Sequence, residues 1–364
     1  MSKKNKKSRK GSTGKSGLKK GNKITIISIL SALVILGGAF ALGYYCNFQS
    51  NNVNEKGVIY ISKTYDYQDV INVVDSCGIL KNSKYFRNAA SLMKLEEGFK
   101  AGRYELEPGM NNKYIVRMIA NGWQKPTNIV ISGYIRSFEK FAAILGSKFD
   151  ADSAEFSNSL NNIALRDSLG FKKEDYISMF IPNTYEFYWT TTPKDFILRM
   201  KKEWDNFWNE DRDAKAKKLN MSRSEVSTLA SIVIEESKYV PEQPTIAGVY
   251  LNRIRKGIPL QADPTVLFAL GDPRPNRVLK KHLQVDSPYN TYKHKGLPPG
   301  PITMAPISAI DAVLNYEKHN YIYFCAKPTF DGQHSFASSY SQHLKNARAY
   351  HKALTKRLKE RENQ

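Results

Sequence analysis

The chain has 364 residues, 41% hydrophobic and 12% aromatic, enough for two or three domains with real cores. Its formal net charge is +21, unevenly spread: residues 1–23 hold ten Lys or Arg and no acid, which leaves about +11 for the rest. Three widely spaced cysteines (Cys46, Cys77, Cys325) match no metal or redox pattern and speak against a disulfide framework, leaving open a single Cys77–Cys325 bridge.

Residues 1–23 are mostly Lys, Ser and Gly and read as a disordered tail. The run Gly11–Ser16 is not a phosphate loop, because position 9 is Arg9 where that motif opens on Gly and no strand precedes it. The tail has no aromatic residue to stack on bases, so nucleic acid is not an expected partner. Ile24–Tyr45 follows, 22 uncharged residues rich in Ile, Leu, Ala and Gly. As a helix this covers about 33 Å, enough to cross a bilayer core. The hydrophobic stretch is longer than that of a cleaved signal peptide and no clear cleavage site follows. The one-sided basic flank places the N-terminus in the cytoplasm and everything after Cys46 outside the cytoplasmic membrane. Residues 46–57, polar and Asn-rich, read as a short linker.

Residues 58–128 read as a small α/β module. Val58–Ile61 is strand-like, Asp69–Cys77 is helical with Gly78 as its stop, Pro108-Gly109 turns the chain, and Met110–Gly122 is again helical. Lys100-Ala101-Gly102-Arg103-Tyr104 and Pro108-Gly109-Met110 resemble the LysM-like module that precedes the catalytic part of one family of cell-wall enzymes. A spacer with no ligand of its own fits the same residues.

Residues 129–215 open on a strand, 128–132, and continue mostly helical, with helical spacing from Phe196 to Trp208. The aromatic run from Phe180 through Pro182-Asn183-Thr184-Tyr185 to Trp189 reads either as core or as a wall on which sugar rings stack.

Residues 222–351 carry the chemistry. Ser222-Arg223-Ser224-Glu225 fits a capping box that opens a helix ending in Glu235-Glu236. Val226, Leu229, Ile232 and Val233 share one face, which predicts an amphipathic helix. Glu236 falls on that apolar stripe and Glu235 about 100° away. An inward carboxyl loses solvation, so its pKa rises into the range of a proton donor. A buried Glu paired with an Arg satisfies the same pattern. Pro244–Lys256 reads as a second helix stopped by Gly257, with Asn252 on one edge. Leu260-Gln261-Ala262-Asp263-Pro264-Thr265 enters a third helix, with Asp263 or Thr265 as a possible cap. Ser287–Tyr292 and Gly296–Ile302 read as loops, the second made rigid by Pro298, Pro299 and Pro301. Tyr321–Ala326 and His334-Ser335-Phe336 read as paired strands around an Asp331-Gly332 turn, and a basic helix closes the chain, leaving residues 352–364 as its end.

The six histidines form no metal-ligand pair; His-Glu-x-x-His, Cys-x-x-Cys, Gly-x-Ser-x-Gly and dinucleotide fingerprints are absent. No metal or cofactor is called for. A carboxyl on an apolar helix face, with polar and aromatic loops able to surround it, is equipment for glycosidic bond cleavage by general acid catalysis.

Leu229–Val233, Glu236, Asn252-Arg253-Ile254, Leu260–Thr265, Tyr289–Tyr292 and Gly296–Ile302 occur in the order that resembles the endolytic murein transglycosylases, the YceG-like family. The likeness covers nearly all of the chain after the anchor. It departs at Ile234, where the family commonly has an acid, and at Asn183 and Gln333. The resemblance implies an α+β catalytic region over residues 129–351 behind a single transmembrane helix. It implies a lyase that cuts nascent peptidoglycan between N-acetylmuramic acid and N-acetylglucosamine, leaves 1,6-anhydro ends and terminates strand elongation. By the same resemblance Glu236 is the general acid and then base. Asn252, Gln261, Asp263, Tyr289, Asn290, Tyr292 and Pro299 are expected to bind or shape the site around the sugars, or else to hold the fold. The implied partners are glycan strands, the membrane and peptidoglycan synthases. A hydrolytic muramidase and a non-catalytic peptidoglycan-binding scaffold are the rival readings.

Overall fold

A computed structural model describes Met1, residues 20–275 and residues 278–362, so the expected tail lies almost entirely outside the described residues. The fold is mixed α+β and divides into two units, Met1–Gln124 and Lys125–Gln364.

In the first unit, helix α1 spans Lys20–Tyr44 and runs into a π-helical turn, Tyr45–Gln49. Within it, Ile24–Gln49 is long and apolar enough to cross a membrane, and none of its most apolar window is buried against protein. Strand β1 (Gly57–Ile61), helices α2 (Tyr67–Ser76) and α3 (Ser83–Leu92), strand β2 (Gly102–Leu106) and helix α4 (Asn112–Asn121) complete the unit. The strands pair antiparallel, with Ile59 opposite Tyr104. Asp66, Asn82 and Asn111 cap α2, α3 and α4 through their side chains. Ile59, Ile61, Val74, Phe86, Tyr104 and Ile115 form the core.

The Asn-rich stretch expected as a linker is folded into this unit. Asn52 and Val53 are buried, Asn51 and Val53 bridge Asn111 and Leu80, and Asn52 Nδ2 donates to Asn112 Oδ1 at 2.7 Å. Amides that satisfy one another can be buried at little cost, which composition alone does not reveal.

The second unit opens with β3 (Thr127–Ile131), α5 (Phe138–Gly146), α6 (Ser153–Leu160) and α7 (Ile163–Ser168). Strand β4 (Asn183–Phe187) then pairs antiparallel with β3. Phe180, Tyr185 and Phe187 are buried, and Phe180 stacks with Phe196 and meets Phe141 edge-on, so most of the aromatic run is core. Helices α8 (Pro193–Phe207) and α9 (Glu210–Lys218) lead to α10 (Arg223–Glu236). Then come α11 (Gln243–Arg255), α12 (Asp263–Leu270), α13 (Ile307–Leu314), the hairpin β5 (Tyr323–Ala326) and β6 (His334–Ala337), and α14 (Tyr340–Glu362).

Helix α10 is the centre of this unit and packs against α9, α11, α12 and α13. The predicted capping box is present: Ser222 Oγ accepts from Glu225 N, and Glu225 Oε2 accepts from Ser222 N at 2.7 Å. The expected amphipathic pattern is not. Every residue from Val226 to Ile234 is buried, including Ser227, Thr228 and Ser231, whose hydroxyls donate to carbonyls three or four residues earlier. A helix whose polar side chains are satisfied internally can be enclosed on all sides. The three cysteines are free thiols, so the Cys77–Cys325 bridge is not formed.

Candidate active site

Helix α10 delivers two acids to its C-terminal end, and each finds a different partner. Glu235 takes the guanidinium of Arg136, whose Nη2 lies 2.6 and 2.7 Å from the two carboxylate oxygens. Among the described residues no basic side chain is bonded to Glu236. Its Oε1 accepts from the hydroxyl of Tyr250 at 2.6 Å. The alternative of a Glu paired with an Arg thus describes Glu235, while Glu236 keeps its carboxyl on a cavity.

That cavity has a volume of about 190 Å³ and is lined by Glu236, Tyr250, Arg253, Gln261, Asp263, Tyr292, Phe324 and Leu260. Loss of solvation is the largest influence on Glu236 and pushes its carboxyl up to about 7. The Tyr250 hydrogen bond and Arg253 pull it down, while the charges of Asp263 and Glu235 push it up. A carboxyl so placed holds a proton near neutral pH and can give it to a leaving oxygen.

The other walls are fixed from below. Arg253 is 8% exposed and donates to the carbonyls of Pro259, Leu260 and Ile322, which ties α11 to the loop before α12 and to the entry of β5. Its Nη1 also reaches Gln261 Oε1 at 3.3 Å. Gln261 adopts φ +51°, a left-handed conformation that costs a non-glycine residue on the order of 1 kcal/mol or more. Gln261 N and Ala262 N donate to Thr291 O and Thr291 Oγ1, which hold that turn. Neither Asp263 nor Thr265 caps α12: Ala262 stands at the cap and Thr265 Oγ1 bonds back to its carbonyl. Asp263 Oδ1 instead accepts from Tyr292 Oη at 2.6 Å.

Of the residues expected at the site, Glu236, Gln261, Asp263 and Tyr292 meet around this cavity; Asn252, Tyr289, Asn290 and Pro299 are not in its lining. Asn252 Nδ2 donates to His319 O and Tyr321 O and pins the segment before β5. Asn290 is fully buried; its amide donates to Leu283 O and Val285 O, and its Oδ1 accepts from Tyr292 N, so it orders the loop that presents Tyr292. Tyr289 packs on Phe268 with ring centroids 4.7 Å apart, and burial pushes its hydroxyl up to about 12. Pro299 is exposed on a loop that reaches α10 through Ile302 N, which donates to Ser231 Oγ at 3.0 Å. Gly300 in that loop has no room for a side chain, since a Cβ there would lie 1.9 Å from Glu174 O.

Sequence reasoning did not single out Tyr250, Arg253 and Phe324. Tyr250 lies in the apolar run Ala247–Leu251, and a buried phenol needs a partner for its hydroxyl. That signal could have raised it. Phe324 packs edge-on against Tyr250 and is indistinguishable from core in the sequence.

Known proteins resemble this chain in sequence and in fold. The model of the YceG-like family matches residues 59–349. The endolytic murein transglycosylase of Bacillus subtilis (strain 168) is 30% identical over 335 residues, covering 87% of this chain and 91% of that protein. The endolytic murein transglycosylase of Streptococcus pneumoniae (strain D39) is 25% identical, over 89% of this chain but only 64% of its own longer sequence. A crystal structure of a YceG-like protein from Listeria monocytogenes superposes with a TM-score of 0.57 at 29% identity, over 80% of this chain and 98% of that one. The chain belongs to the YceG-like family.

Proposed function

We propose that the chain is an endolytic peptidoglycan lytic transglycosylase, a lyase that cuts the bond between N-acetylmuramic acid and N-acetylglucosamine in nascent glycan strands. The observation that carries this reading is Glu236: a carboxyl raised to about 7, held by one phenol in a polar cavity, with its Arg-paired neighbour turned away. Protonated Glu236 gives its proton to the glycosidic oxygen as the C1–O bond breaks. The resulting carboxylate then takes the proton of the muramic C6 hydroxyl, whose oxygen closes on C1. The product is a 1,6-anhydro end, no water is consumed, and elongation of that strand ends. Asp263, held by Tyr292, places negative charge beside the positive charge that develops at the anomeric carbon, and it also favours the protonated form of Glu236. Gln261 and Arg253 offer polar contacts to the sugars. The names of the relatives and the residue series around Glu236 support the lyase.

In this reading Ile24–Gln49 is a single-pass anchor of the cytoplasmic membrane, with the N-terminus inside and the catalytic unit outside. The first unit serves as a LysM-like module next to the membrane, and peptidoglycan synthases are the partners that supply the strand.

Asp263 also favours a second reading. Two carboxylates in one cavity are the equipment of a hydrolytic muramidase, in which Asp263 would act as base for water or as nucleophile. Product ends decide between the two. The full chain in detergent, mixed with intact sacculi, is expected to release fragments that mass spectrometry identifies as 1,6-anhydro-terminated. Reducing ends would establish the hydrolase, and intact sacculi would leave only a binding scaffold. Glu236→Gln is expected to lower the rate by about 10²–10⁴-fold.

A further inference from the structure

The cavity at Glu236 is not the largest in its unit. A second, open cavity, about 550 Å³, is lined by residues from the segment after α10, from α11, the β5–β6 hairpin and α14, among them Tyr239, Glu242, Thr245, Lys327, His334 and Gln342. At its base is a carboxylate–imidazole pair. Glu242 is 8% exposed, and both of its oxygens go to one residue: Oε1 accepts the backbone N–H of His334 at 2.8 Å and Oε2 accepts Nδ1–H at 2.7 Å. A carboxylate on Nδ1 fixes the ring orientation and the tautomer, leaving Nε2 as the ring's remaining hydrogen-bonding atom. Nε2 has no hydrogen-bond partner among the described residues.

Three observations tie this cavity to Glu236. The chain passes directly from one to the other: Glu236 lines the first, and Tyr239 and Glu242, three and six residues on, line the second. Three residues of extended chain span at most about 11 Å between Cα atoms. Phe324 forms the partition, lining the first cavity, meeting Tyr250 edge-on at 5.9 Å and His334 edge-on at 5.3 Å. The lining of the second cavity, like that of the first, combines polar groups with aromatic rings. It brings together the amides of Gln333, Gln342 and Asn346, the hydroxyls of Thr245 and Ser335, and the exposed rings of Tyr239 and Tyr321; Gln342 donates to Asn346, Thr245 to Glu317, and Gln333 accepts from Lys327. Polar planar groups beside open aromatic faces suit a sugar ring, which has hydroxyls on its rim and apolar C–H faces.

We propose that this second cavity is a saccharide subsite that holds a further sugar unit of the strand being cut, with Nε2 of His334 as its central polar contact. The proposal rests on the reading of the chain as a glycan-cleaving enzyme and names where the strand runs beyond the scissile bond. In this role Glu242 is a positioning residue. It holds the imidazole in place and never meets the sugar chemistry at Glu236.

Binding tests the subsite without requiring turnover. The full chain carrying Glu236→Gln, in detergent, is titrated with peptide-free glycan oligomers of two and of eight sugar units. The longer oligomer is expected to bind at least tenfold more tightly. His334→Ala and Gln342→Ala, each added to Glu236→Gln, should remove about threefold to tenfold of that advantage and leave the disaccharide affinity unchanged, as expected for the loss of one hydrogen bond. Gln342 is an exposed residue of α14, so its loss leaves the fold intact and serves as the control for His334. Unchanged length dependence in both variants overturns the proposal, as does an equal weakening at both lengths. If the length dependence is lost as expected while the wild-type chain cuts no glycan, the subsite stands and the lyase reading fails.

Discussion

The two sides of the α10 C-terminus offer a controlled comparison. Glu235 and Glu236 are adjacent, identical in chemistry and carried by the same helix end. On one side Arg136 Nη2 meets both carboxylate oxygens of Glu235 with short contacts. On the other side a neutral phenol and a polar cavity meet Glu236, and desolvation dominates. The difference shows that burial alone does not make an acid reactive. The kind of partner decides, since a cation consumes the carboxylate's charge and a phenol leaves its proton in play.

Breaking the ion pair gives the largest effect on stability. Arg136→Met leaves the Glu235 charge without its partner, and should cost about 1–3 kcal/mol, less than a fully buried pair because Arg136 keeps some solvent. Urea unfolding at pH 7 measures it, and activity per folded molecule should change far less than for Glu236→Gln.

The second effect appears as a pH dependence of stability. The folded state holds the Glu236 proton up to about 7, whereas the unfolded chain releases it near its ordinary value of about 4.5. Between those values the native state binds more protons. Glu236 therefore costs stability increasingly as pH rises from about 4 to about 7. Glu236→Gln removes that cost. Thermal melts should show the variant with the higher Tm at pH 8 and no advantage near pH 4. A constant difference across that range would mean that Glu236 titrates normally.

Smaller shifts sharpen the contrast between the partners. Tyr250→Phe removes a hydrogen bond that favours the carboxylate, so the alkaline fall in kcat/KM should move to higher pH. Asp263→Asn removes a charge that favours the protonated form, so the same limb should move to lower pH. Shifts in one direction for both would break the assignment. Glu235→Gln acts through the weakest of the named influences and should move the limb least.

Much of this was legible in the sequence, and particular residues show why the rest was not. The Ser222–Glu225 box, the Gly257 stop and the Asp331-Gly332 hairpin are local devices, and each forms as read. Gln261 and Asp263, on and just after the short loop that follows α11, and Tyr292, in the long segment between α12 and α13, come together at the end of α10 that carries Glu236. The all-round burial of α10 was not legible, because Ser227, Thr228 and Ser231 look like a solvent face until their hydroxyls are seen bonded to the helix backbone. The burial of Asn52 depends on Asn112, 60 residues away. The Glu242–His334 pair spans 92 residues and leaves no spacing signal. Contacts of that range are set by tertiary packing, and a single sequence records them only as isolated polar residues.

The most direct test of the role assigned to Glu236 is the pH dependence of kcat/KM of the full chain on peptide-free glycan strands. A general acid held at about 7 predicts activity that falls tenfold per pH unit above that value, with the limb absent in the residual rate of Glu236→Gln. A limb near 4 to 5, or one that survives in Glu236→Gln, would contradict the assignment.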